Sequence, residues 1–162
     1  MNTKSILTYK TLITACLFLL FSLIQVNAQD KGIYEITNNE SNNDRALFYD
    51  LALKLHPTIY VKDNVIKNIY GEGKIQKTVL QDVKSINILK TENAKFDDVK
   101  LIIIRLNSQA DLNNSIDLSN SSLDNLKYIY VKSNFNAKPE DIANFVKANP
   151  SIRIFYKIEL PS

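Results

Sequence analysis

The sequence predicts a small α/β domain built around a repeat-like sheet of parallel strands, on three observations. Residues 96–105 and 123–132 read alike, each running bulky apolar, acid or amide, aliphatic, lysine, then a β-rich stretch, 27 positions apart. A further β-rich run, 152–158, follows a segment that opens Pro139-Glu140-Asp141, a helix-start pattern with proline in the first turn and acids at the positive end of the dipole. Strand, helix, strand in that order implies a parallel crossover. The expected parallel strands lie at about 100–106, 127–132 and 152–158, with a crossover helix at 139–148.

Ahead of these lies an N-terminal module of a helix and a hairpin. Leu47, Phe48, Leu51 and Leu55 fall at helical spacing, and Asp44 can cap the helix, so the helix is placed at 44–55. The alternation of Leu51, Leu53 and Leu55 leaves a strand as the other reading. Pro57 ends the element either way, because a residue before proline is pushed out of the helical region. Ile59-Tyr60-Val61 and Val65-Ile66 flank Asp63-Asn64, two residues that tolerate a left-handed turn, so a hairpin is expected. Gly71 and Gly73 break its second strand, and Gly71-Glu72-Gly73 is read as a turn, not as a phosphate cradle.

Residues 80–88 carry the sister phrase a third time, 16 positions before the Val99 copy. They are read as a neighbouring strand, at 83–89, whose direction the sequence leaves open, followed by a helical turn near 91–95. Residues 108–122 are polar apart from Leu112, Ile116 and Leu118, which predicts a crossing segment with those three side chains in the core. In the helix from Pro139, Ile142, Phe145 and Val146 make the buried stripe.

The first 28 residues read as a secretory signal: Lys4 and Lys10, an apolar run over 12–24, then Val26-Asn27-Ala28. Cleavage is expected between Ala28 and Gln29, giving a secreted or periplasmic protein. The apolar run falls short of the ~20 residues of a membrane span, so no transmembrane span is expected once the signal is removed. Ile13-Thr14-Ala15-Cys16 offers a rival, a lipid anchor on Cys16. Residues 29–43, with Thr37-Asn38-Asn39-Glu40-Ser41-Asn42-Asn43, read as a flexible lead-in, and 44–162 as one globular domain.

Losing residues 1–28 removes two lysines and no acid, lowering the formal charge from +3 to +1. A charge so near neutral argues against a nucleic-acid partner, which wants a basic stripe. Cys16 is the single cysteine, so the exported chain has no disulfide and its stability rests on burial. Abundant Asn, Ile and Lys with no Trp point to an AT-rich bacterial source.

The sister stretches align Val99, Ile102, Ile104 and Asn107 with Leu126, Ile129, Val131 and Asn134. That pattern is similar to the core of a leucine-rich repeat, with three inward aliphatics and an asparagine at the turn. A degenerate copy at Ile152, Phe155 and Lys157 follows, so the resemblance covers residues 96–160. It implies protein or ligand binding on the strand face and no catalysis.

In the register this alignment gives, one face carries the rows Leu101-Tyr128-Ile154, Ile103-Tyr130-Tyr156 and Arg105-Lys132-Ile158. Both faces are apolar, as in a sheet covered on both sides. The face with Tyr128, Tyr130 and Tyr156 is either capped by the N-terminal module or an aromatic binding surface edged by Arg105 and Lys132. Those five residues are the binding candidates.

His56 is the single histidine. With no second histidine and no cysteine beyond Cys16 it does not make a common zinc site, and no nucleophile-elbow motif accompanies a serine. It is read as a helix-end histidine near the last carbonyls. Asp97-Asp98 reads as a strand-start turn and Glu140-Asp141 as helix N-terminal charge. No catalytic residue, cofactor or metal is expected, and the partner expected is a protein or cell-envelope component. The alternatives are a small secreted hydrolase using dispersed carboxylates and an envelope-associated structural protein.

Overall fold

Asp63 and Asn64 hold φ angles of 53° and 57°, the pair of positive values that a two-residue hairpin turn matched to strand twist requires. They join β2 (Thr58–Lys62) to β3 (Val65–Tyr70) as an antiparallel hairpin. Gly71 follows at φ +86°, where a Cβ would stand 3.0 Å from the Pro57 Cα, so this corner needs glycine both for its conformation and for its space. The computed structural model describes residues 33–36, 45–90, 93–119 and 123–160. The signal segment, the Cys16 alternative and the Asp44 cap lie outside them.

The hairpin is not a separate module. β2 pairs in parallel with β4 (Lys77–Leu80), which pairs with β5 (Leu101–Leu106), then β7 (Tyr128–Ser133), then β9 (Arg153–Ile158). β1 (Ile33–Glu35) lies parallel on the outer side of β9, although the sequence places it in the lead-in. Among the described residues the result is a seven-stranded sheet in the order β1-β9-β7-β5-β4-β2-β3, parallel except for β3.

Within this sheet β4, β5, β7 and β9 are laid side by side in chain order, and the crossovers between them pack on the same face. A 3-10 helix over Val83–Lys90 buries Val83, Ile86 and Leu89, and a second over Ala94–Phe96 buries Phe96. The stretch at 83–89 is therefore crossover and not strand. Asp82 explains it: its carboxylate accepts from the Ser85 N–H at 2.9 Å and from the Asp63 N–H at 2.8 Å, turning the chain back over the hairpin. After β5 a 3-10 turn, Gln109–Asn113, leads to β6 (Ile116–Leu118), which buries Ile116 and Leu118 with Leu112 packed alongside. After β7 comes α2 (Pro139–Phe145), shorter than expected, because Val146–Ala148 leave the helix as β8 and pair in parallel with β6.

The starts of β5, β7 and β9 repeat one device. The Val99 N–H donates to Phe96 O, Leu126 to Leu123 O and Ile152 to Asn149 O, closing a tight turn ahead of each of these strands. At the starts of β4, β5 and β7, two successive N–H groups then share one carbonyl: Gln76 and Lys77 on Pro57 O, Lys100 and Leu101 on Gln76 O, Lys127 and Tyr128 on Lys100 O. This is a bulge that adds a residue between turn and strand. At β9 only Arg153 donates, to Lys127 O. The last winding lacks that residue, which corrects the sequence alignment: Ile152 matches Leu126 at the turn, but Ile154 and Tyr156, not Phe155 and Lys157, stand beside Ile129 and Val131. A shift of one position exchanges the faces of a strand.

Ile59, Thr78, Ile102, Ile129 and Ile154 consequently form one row on the crossover face, all buried. α1 (Ala46–Leu53) crosses the opposite face and buries Phe48 and Leu51 against Val79, Leu101, Ile103, Tyr128, Tyr130 and Phe155. It is a helix as expected but ends two residues early: Lys54 is extended, and Leu55 is fully exposed. The alternative of a strand here is excluded.

Candidate functional site

α1 decides the fate of the tyrosine candidates. The Phe48 ring meets Tyr128 and Tyr130 edge-on at 5.8 and 5.4 Å between centroids, and both tyrosines are buried. Burial, with a smaller contribution from the Glu159 charge, raises the Tyr130 phenol well above its ordinary range. These side chains are core: of the two readings of this face α1 gives the capped one, and the binding-candidate role of Tyr128 and Tyr130 is corrected. Tyr156 is not even on that face. Because of the missing bulge it points to the crossover side, where its hydroxyl donates to Glu35 Oε2 at 3.0 Å. Burial first, then the Glu35 carboxylate, pushes its pKa up to about 12.

Arg105 and Lys132 are brought together, with a third cation in place of the expected Ile158. The register sets Arg105 beside Lys132 and Lys132 beside Lys157, in the next row after Ile103-Tyr130-Phe155 on the α1 face. Adjacent strands run ~4.8 Å apart, so three cationic side chains leave the sheet side by side at the carboxyl ends of β5, β7 and β9. Lys132 is half-buried; its Nζ lies 2.8 Å from Glu159 Oε1 and 5.6 Å from the Tyr130 ring centroid. Arg105 is exposed and Lys157 partly so, and neither forms an ion pair with a described residue. Like charges opposite one another on neighbouring strands oppose pairing, and among the described residues one carboxylate answers three cations.

The backbone around this rim is held firmly. Asn107 Nδ2 donates to Gln81 O at 2.9 Å, tying the exit of β5 to the preceding winding, and the Asn107 N–H donates to Asp111 Oδ2 at 2.7 Å. Past β7, the Asn134 N–H donates to Leu106 O at 3.0 Å. The ends of parallel strands are where open α/β sheets bind ligands. Lys157 was missed in the sequence because the face it occupies depends on a single residue before β9.

The other polar cluster sits at the end of α1. His56 Nε2 lies 2.9 Å from Asp50 Oδ2 and 3.1 Å from Asp50 O, and Lys54 Nζ lies 2.7 Å from Asp50 Oδ1. The hydrogen bond from Lys54 holds the Asp50 carboxyl below its usual value. Lys77, unremarked in the sequence, is buried with its Nζ donating to Leu51 O at 2.9 Å and Lys54 O at 3.2 Å, and burial lowers its pKa. Its ammonium closes the last helical turn, where carbonyls are orphaned and the dipole favours a cation. Asp97 and Asp98 occupy the tight turn before β5, and Glu140 and Asp141 the first turn of α2. Among the described residues no group of three His, Cys, Asp or Glu side chains is placed to hold a metal, and no helix is long and apolar enough to cross a membrane. Comparison with protein-family models, with curated proteins and with solved structures returns no match.

Proposed function

We propose that the protein is an exported, non-enzymatic binding protein that recognises an anionic group, carboxylate or phosphate, on a protein or cell-envelope partner. The recognition surface is the strand-end rim of Arg105, Lys132 and Lys157. One observation carries this reading: the register aligns three cations on adjacent strands with Glu159 as the one carboxylate paired to them among the described residues. A bound anion relieves the repulsion that the free rim sustains, and a guanidinium beside two ammonium groups suits oxyanions.

The engagement of His56 Nε2 with Asp50 supports the non-enzymatic reading, since it serves the helix end. The leucine-rich-repeat likeness is part of the same proposal. The stacked windings support it, and it implies binding rather than catalysis. Export rests on the leader pattern at 1–28, and N-terminal sequencing of the chain recovered outside the cytoplasm should begin at Gln29.

The binding test is a titration of the purified chain with polyphosphate and with polyglutamate at low and high salt. At least one should bind, with affinity falling steeply as salt rises. Arg105→Glu with Lys157→Glu should abolish that binding while leaving the fold unchanged. Equal binding by this double variant would overturn the rim as the site.

A further inference from the structure

Among the described residues the sheet ends at β3, a six-residue strand with apolar side chains in solvent. Val65, Ile69 and Tyr70 are exposed, with Ile66 partly covered, and among the described residues β2 is the only strand hydrogen-bonded to β3. An edge of this kind is a template for another strand.

We infer that β3 pairs antiparallel with β3 of a second copy of the chain, joining two sheets about a two-fold axis. The sequence Val65-Ile66-Lys67-Asn68-Ile69-Tyr70 reads apolar, apolar, polar, polar, apolar, apolar in both directions. One symmetric register uses this fully: Val65 opposite Tyr70, Ile66 opposite Ile69 and Lys67 opposite Asn68. Moving it by one position sets Lys67 against Ile69 in one direction, or against the second copy's own Lys67 in the other, so charge and apolar matching select the same alignment.

The bulge in the hairpin makes this register possible. An unbroken strand would send Val65 and Tyr70 to opposite faces, since they stand an odd number of positions apart. The β2–β3 pairing skips Lys67: Tyr60 stands beside Asn68, and Val61 beside Ile66. Val65, opposite Lys62, and Tyr70, opposite Thr58, therefore share the α1 face, while Ile66 and Ile69 share the crossover face with Val61 and Ile59. A two-fold axis normal to the sheet keeps faces matched, so each apolar residue meets an apolar residue. Lys67 and a bulge are also devices that blunt an edge against indiscriminate pairing. Here they leave the symmetric register as the one without a charge facing a charge or an apolar side chain. An isologous contact of this kind closes at two copies and does not propagate.

The test is sedimentation of the protein purified from cells expressing the whole chain, at concentrations up to about 100 μM, well above the micromolar constants at the weak end for protein interfaces. Two copies per particle are expected. Val65→Lys and Ile69→Lys, both at exposed positions, should each weaken association at least about tenfold with unchanged circular dichroism. Register is read separately by mixing a Val65→Cys chain with a Tyr70→Cys chain, each also carrying Cys16→Ser to remove the single native thiol. Oxidation should cross-link the mixture and neither chain alone, because facing Cβ atoms lie within disulfide reach. A monomer at all concentrations overturns the inference, as does association untouched by both lysine variants or a mixture that fails to cross-link.

Discussion

Phe48 lies nearly flat on Phe155, ring centroids 4.0 Å apart and planes 24° from parallel. The stack joins α1 to the last long strand of the sheet, with both rings buried and the edges of Tyr128 and Tyr130 against Phe48. Phe48→Ala removes the centre of this cluster and should destabilise the fold by about 3–5 kcal/mol, since the sheet does not collapse into the cavity. Chemical denaturation measures it. A loss under about 1 kcal/mol would show that α1 contributes little to the fold.

Thr78 is fully buried in the row of Ile59, Ile102, Ile129 and Ile154, and its Oγ1 has no hydrogen-bond partner among the described residues. Valine has the same branched shape without the stranded hydroxyl. Thr78→Val should raise stability by about 1 kcal/mol or more, read as a shift of the denaturation midpoint at constant slope. A decrease would mean that the hydroxyl is satisfied in solution.

Tyr130 and Tyr156 have phenol pKa values raised above the ordinary 10.0 by burial, Tyr156 to about 12 with Glu35 contributing. A raised folded pKa gives stability that is complete below the unfolded value and lost as pH climbs towards the folded one. The contribution of Tyr156 should be complete up to about pH 10 and lost between pH 10 and 12, with that of Tyr130 lost on towards still higher pH. Tyr156→Phe should flatten that decline. An identical pH profile for the variant would remove Tyr156 from the explanation.

One residue separates the last winding from the others. Inserting an alanine between Ile152 and Arg153 supplies the position that forms the bulge before β4, β5 and β7. It should be absorbed there at a cost below about 1 kcal/mol, because the strand keeps its faces. The same insertion between Phe155 and Tyr156 turns Tyr156 and all that follows to the wrong side and should abolish cooperative unfolding. Thermal melts of the two insertions distinguish these outcomes. Equal damage from both would mean that the β9 start tolerates no bulge.

Lys77→Met keeps the buried stem of the side chain and deletes its ammonium, which donates to Leu51 O and Lys54 O. The last turn of α1 should loosen, with faster amide exchange there and a loss of about 1–2 kcal/mol. Unchanged exchange would assign Lys77 to packing alone.

Local chemistry was legible along the chain. Asp63-Asn64 announced the hairpin, Pro139-Glu140-Asp141 the start of α2, Ile116 and Leu118 a buried return, and His56 a helix end, because turns, caps and apolar spacing act within a few residues. The pairing of residues 101–104 with 128–131 was equally readable from two matching phrases. What only the tertiary structure decided depends on contacts far apart in sequence. The bulge before three strands and its absence before β9 moved Tyr156 off the tyrosine face and put Lys157 beside Lys132. The passage of α1 across that face turned Tyr128 and Tyr130 from candidate ligand contacts into core. Strand faces alternate with every residue, so one position of slip, set by which carbonyl an N–H finds on a neighbouring strand, redistributes every candidate side chain on that strand.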